Sequence, residues 1–134
     1  MKHLSLLAGI LTASMISTAI HYTDNALFIA DYPQPDGITL TGIAVSWILL
    51  TAIGALGYWF YRQQNFWVAY VCLFVYSLTG LSSLGHYWYG AFADFSAKMH
   101  LFIWLDGLVG ATVLGFALWS AFVWREPEQK AKRA

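Results

Sequence analysis

Apolar residues dominate four long stretches of the chain, at about 4–28, 38–60, 66–89 and 99–124. The second and third contain no Asp, Glu, Lys or Arg, and the fourth contains only Asp106. A hydrocarbon layer about 30 Å thick is crossed by about 20 helical residues, so each stretch is long enough to span a bilayer. Strands are excluded because an open edge leaves backbone groups unpaired in lipid, and the runs are too long and continuously apolar for a barrel. The pattern therefore predicts an all-α polytopic membrane protein. The first stretch follows Met1-Lys2-His3 and resembles the start of a secretory signal peptide, but no A-x-A-type site closes it, so we expect it to stay as a helix.

The polar breaks are short. Pro33, Pro35 and Gly37 interrupt the chain after the first stretch, Tyr61 to Asn65 after the second, and a segment from about Gly90 to Lys98 after the third. Short connections make consecutive helices antiparallel neighbours, so the expected architecture is a single antiparallel four-transmembrane-helix bundle, residues 1–134, ending in a basic tail at 125–134.

Composition agrees: 59% of residues are hydrophobic and 10% charged, against about 25% charged in water-soluble domains. Net charge is zero, which gives no reason to expect a nucleic-acid partner. The distribution of charge is more telling. Lys2, Arg62, Arg125, Lys130, Lys132 and Arg133 fall on one side of the topology and only Lys98 on the other. The positive-inside bias then puts both termini in the cytoplasm, as in a bacterial inner-membrane protein. Tyr22, Tyr32, Tyr87, Trp88 and Tyr89 mark the outer boundary, and Tyr58, Trp59, Tyr61, Trp67 and Trp124 the inner one, as generic interfacial anchors. Cys72 is the only cysteine, so neither an internal disulfide nor a thiolate cluster is available.

Gly107, Ala111 and Gly115 recur at four-residue steps in the fourth stretch. Such a small-residue seam lets a second helix approach, either inside the bundle or in a homo-oligomer or larger membrane complex.

Polar residues are concentrated toward the outer face. Ser14, Ser17, Thr18, His21, Asp24 and Asn25 form one helical stripe, and Thr79, Ser82, Ser83 and His86 form another. Lipid satisfies none of these groups, so both stripes are expected to face inward and to meet. His100 lies near the outer start of the fourth stretch, and Asp106 lies roughly 10 to 14 Å deeper than its outer end. An intramembrane carboxylate costs roughly 2.5 to 3.5 kcal/mol at a helix centre, so Asp106 should be protonated, paired with a histidine, or close to a cation. His100 and Asp106 point roughly 120° apart on one helix and are not expected to be adjacent ligands.

Imidazoles combined with carboxylates suit copper, zinc or iron. The expectation is a transition-metal site formed by His21, Asp24, His86 and His100, with Asp106 as an orienting acid or proton relay, serving redox chemistry or metal handling. A haem b held by His86 with His21 or His100, in an electron-transfer or quinone-reactive subunit, is the alternative. A non-catalytic membrane subunit and a proton- or ion-coupled transporter are further readings. His-x-x-Asp is weak as a motif, and what specificity there is comes from the convergence of three helices.

Overall fold

The computed structural model describes residues 3–132, so Lys2 and Arg133 of the basic end lie outside the described residues. The described residues form helices joined by short turns and loops, without a strand: α1 (Leu4–Leu27), α2 (Leu40–Arg62), α3 (Phe66–Leu81), α4 (Ala97–Phe122) and α5 (Glu126–Ala131). Four of the helices are long and apolar enough to cross a membrane, the third counted through Trp88. Local chemistry sets the ends. The Thr39 hydroxyl accepts the Gly42 N–H at 3.1 Å and starts α2, and the Ser96 hydroxyl accepts from Met99 at 3.3 Å and starts α4 two residues before the expected boundary. Past α2, Gln64 turns the chain with a φ of 58°.

The third stretch departs from expectation. Its α-helix stops at Leu81 and the chain continues as a 3-10 helix over Ser82–Trp88, with a shorter one at Phe92–Asp94. A 3-10 helix has three residues per turn, so Ser83 and His86 stand on the same face rather than drifting apart. The basic tail is also partly folded, since Glu126–Ala131 forms α5.

Helix α1 packs on α2 and α4, and α3 packs on α2 and α4. Glycines set the closest approaches. A Cβ on Gly54 would lie 2.7 Å from the Tyr76 ring, and one on Gly57 would meet Leu73 at 3.1 Å. Between α3 and α4 the backbones themselves touch: a Cβ on Gly80 would strike the Asp106 carbonyl, and one on Gly110 would lie 2.7 Å from the Ser77 carbonyl. Gly107 joins this contact through Leu84, whereas Ala111 and Gly115 are exposed.

At one end His3 stacks on Trp124 at 3.5 Å, Tyr61 donates to Glu126 at 2.5 Å, and Lys130 reaches the Gln64 carbonyl at 3.0 Å. Arg62, Arg125 and Lys132 are sequence neighbours of these contacts, so this is the charged end. At the other, Lys98 bridges to Asp24 at 2.7 Å and His86 meets the loop after α1. Two tyrosines expected as surface anchors are instead core residues: Tyr32 is 4% exposed and Tyr61 0%, each donating its hydroxyl to a carboxylate. Trp59, Trp67 and Trp88 are exposed.

Candidate functional site: two tethered imidazoles beside a buried carboxylate

The close contact at Gly80 and Gly110 brings the middle of α4 against α3 and sets Asp106 inside the bundle, where it is fully buried. Its carboxylate collects donors from two directions. From α1, Ser17 donates to Oδ1 at 2.5 Å, and His21, one turn further along, places Nδ1 2.8 Å from Oδ2. From the 3-10 segment, Ser83 donates to Oδ2 at 3.3 Å and lies equally close to His21 Nδ1. A carboxylate that accepts three hydrogen bonds is the compensated form of a buried acid, and the contact fixes His21 with its proton on Nδ1. Nε2 of the same ring is buried and has no hydrogen-bond partner.

His86 is tethered in the same manner by a different oxygen. Its Nδ1 donates to the Pro33 carbonyl at 2.7 Å, leaving Nε2 to accept from the Asn25 amide at 3.4 Å. Asn25 Oδ1 is in turn buried without a partner. The His21 and His86 ring centroids are 5.6 Å apart, and Tyr32 packs against both, at 5.7 and 5.3 Å. Tyr32 donates to Asp24 at 2.7 Å; burial, and then that bond to a carboxylate, hold its phenol well above the ordinary range.

A cavity of about 370 Å³ lies against this arrangement, between α1, the start of α2 and the 3-10 segment, with His21, Asn25, Ile43, Ser83, His86 and Trp88 among its walls.

Of the residues singled out in the sequence, His21, His86 and Asp106 come together. Asp24 does not join them: its oxygens are taken by Tyr32 and Lys98. His100 also has other company, with Nδ1 2.7 Å from the Tyr87 hydroxyl and its ring stacked on Phe92 at 4.0 Å. Among the described residues no group of three or more His, Cys, Asp or Glu is arranged to hold a metal ion. Ser17, Ser83 and Asn25 were visible as members of the polar stripes, but without a role. The Pro33 carbonyl, a backbone group, had no sequence signal at all.

No protein-family model, curated protein or solved structure matches the chain.

Proposed function

We propose that the chain is an antiparallel four-helix bundle of the bacterial inner membrane, with cytoplasmic termini, that binds a transition metal through His21 and His86 at its outer end. Insertion is supported by large apolar side chains exposed on all four long helices, among them Ile16, Ile48, Phe74 and Leu108. In water such a surface would drive aggregation, and lipid covers it without cost. Orientation is supported by Arg62, Arg125, Lys130 and Lys132 at one end against Lys98 at the other.

The observation that carries the metal reading is that both imidazoles commit Nδ1 to an oxygen. Metal-binding histidines are ordinarily held this way, by donation to a carboxylate or a backbone carbonyl, which fixes the tautomer and makes the other nitrogen a better ligand. His21 has the carboxylate of Asp106 and His86 the carbonyl of Pro33. Ring centroids 5.6 Å apart suit two bonds of about 2 Å to one ion. Two imidazoles fit copper, zinc or iron, with water or an outside ligand completing the shell. Such an ion supplies Lewis-acid or redox chemistry; Asp106 holds the His21 tautomer and balances its charge, and Tyr32 walls the pair. Asp24 and His100 stand outside this ligand set, occupied by Lys98 and Tyr87.

Elemental analysis and an absorption spectrum of the purified protein test it. The expected result is near-stoichiometric copper, zinc or iron that is lost in both His21→Ala and His86→Ala. A Soret band would replace this reading with haem b, and metal-free protein with unchanged variants would end it.

A further inference from the structure

The cavity beside the imidazoles is larger than an ion requires. A cavity of about 150 Å³ already accommodates benzene, so 370 Å³ takes a substituted aromatic ring. The shape follows from the glycines. Gly54 and Gly57 hold α2 close to Tyr76 and Leu73 of α3 in the half nearer the charged end, whereas in the other half Gly42, Ile43 and Ser46 line the cavity instead. Ile38 and Trp88, also in its walls, are 42% and 86% exposed, on a surface we assign to lipid.

The polar chemistry of the wall has a sign. In the neutral ring that gives its Nδ1 hydrogen to Asp106, the unpartnered Nε2 of His21 is an acceptor. Asn25 gives an amide hydrogen to His86, and its unpartnered Oδ1 is also an acceptor. Both side chains are more than nine-tenths buried and both residues line the cavity, the two unpartnered atoms themselves being closed to solvent. Buried polar atoms in native proteins have partners, and here the missing partners are donors. A quinone, ketone or ester would bring only more acceptors. A ring hydroxyl brings the absent hydrogen, and Tyr22, Ile43 and Trp88 offer aromatic and apolar contact to the ring that carries it.

We propose that this cavity binds a membrane-dissolved hydroquinone, its hydroxyls donating to Asn25 Oδ1 and His21 Nε2. The location is shared with the site proposed above, but the donor preference holds for His86 Nε2 engaged by the Asn25 amide, a contact that an ion on His86 would replace.

The test uses the full chain in lipid nanodiscs under anaerobic conditions, with metal content measured on the same preparations. A short-tailed alkyl hydroquinone is titrated while tryptophan fluorescence is followed, and its dimethyl ether and the corresponding quinone are run as competitors. The hydroquinone is expected to bind saturably, with both competitors about tenfold weaker or worse, since each leaves a buried acceptor unpaired. Asn25→Leu should weaken hydroquinone about tenfold, measured on metal-free protein so that any change at His86 Nε2 does not enter the result. Ser46→Leu, at an exposed wall position that tolerates a larger side chain, should weaken it too by filling space. Equal binding of the dimethyl ether, or wild-type binding by both variants, overturns the proposal. Metal without hydroquinone binding removes this inference alone. Asn25-dependent binding by protein that is metal-free as purified removes the metal reading alone.

Discussion

Asp106 and Glu126 lie toward opposite ends of the molecule, and each gathers side-chain donors from two other segments. Glu126, at the start of α5, accepts from Tyr61 of α2 and from Ser120 of α4, and Ser120 is tied to Tyr70 of α3 at 2.7 Å. Asp106 accepts from Ser17, His21 and Ser83. The difference is one residue type. Hydroxyl donors end the first network, and none of its side-chain oxygens is buried without a partner. An imidazole carries a second nitrogen out of the other network, and that nitrogen has no partner. A carboxylate met by hydroxyls fastens the C-terminal segment to the helices, whereas a carboxylate met by a histidine orients a ring whose second nitrogen is unpartnered.

The comparison is broken most directly at its two acids. Asp106→Leu leaves the buried Ser83 and His21 and the half-buried Ser17 without their acceptor, and removal of one partner from a buried pair costs about 3–5 kcal/mol. Glu126→Leu acts at a half-buried position, where loss of a charged hydrogen-bond acceptor costs about 1.5–3 kcal/mol. Unfolding in mixed micelles followed by circular dichroism measures both. Equal losses would mean that the two networks are alike. Conservative changes sharpen the contrast: Asp106→Asn should lower metal affinity about 10–100-fold by disturbing the His21 tautomer, and Glu126→Gln should leave it unchanged.

Next in size is the support beneath Asp106. Gly80→Ala drives a methyl into the Asp106 carbonyl and the Gly110 Cα, and overpacking of this kind costs about 1–3 kcal/mol. Because the displaced backbone is that of Asp106 itself, metal content should fall as well. Gly115→Ala, with nothing within 4 Å of the added carbon, should be neutral or stabilising by up to about 1 kcal/mol through helix propensity. If Gly115→Ala instead disrupts a homo-oligomer seen by cross-linking, the exposed part of the small-residue seam is an interface.

These glycines show where sequence reading succeeded and where it stopped. Hydropathy located four long helices to within a few residues at most ends, because long apolar runs are bounded by turn-forming residues. The cost of a lone carboxylate left Asp106 protonated, paired with a histidine or close to a cation, and the structure sets it against His21. Spacing also kept His100 away from Asp106. Four-residue steps on α4 pointed to Gly107, Ala111 and Gly115, yet the close contact runs through Gly107 and Gly110 because α3 supplies the opposing glycine, Gly80. Periodicity along one helix says nothing about its neighbour. The 3-10 segment at Ser82–Trp88 and the Pro33 carbonyl beneath His86 were equally hidden, since one is a small change of winding and the other belongs to no side chain.

The smallest effect concerns Asp24, which shares a helical stripe with His21 and was expected among the metal ligands. In the structure it is held by Tyr32 from one side and Lys98 from the other, and Lys98 lies over the Phe28 ring at 3.9 Å. The lysine is 44% exposed, and exposed ion pairs contribute about 0–1 kcal/mol. Lys98→Met should therefore change stability by less than about 1 kcal/mol, less so at high salt, and leave metal content untouched. Freed of its cation, Asp24 would still be held by the Tyr32 hydroxyl, so Asp24→Asn should also retain the metal. If Asp24→Asn releases it in elemental analysis while Lys98→Met does not, the carboxylate is a ligand despite its present partners, and the site extends beyond the two imidazoles toward Lys98.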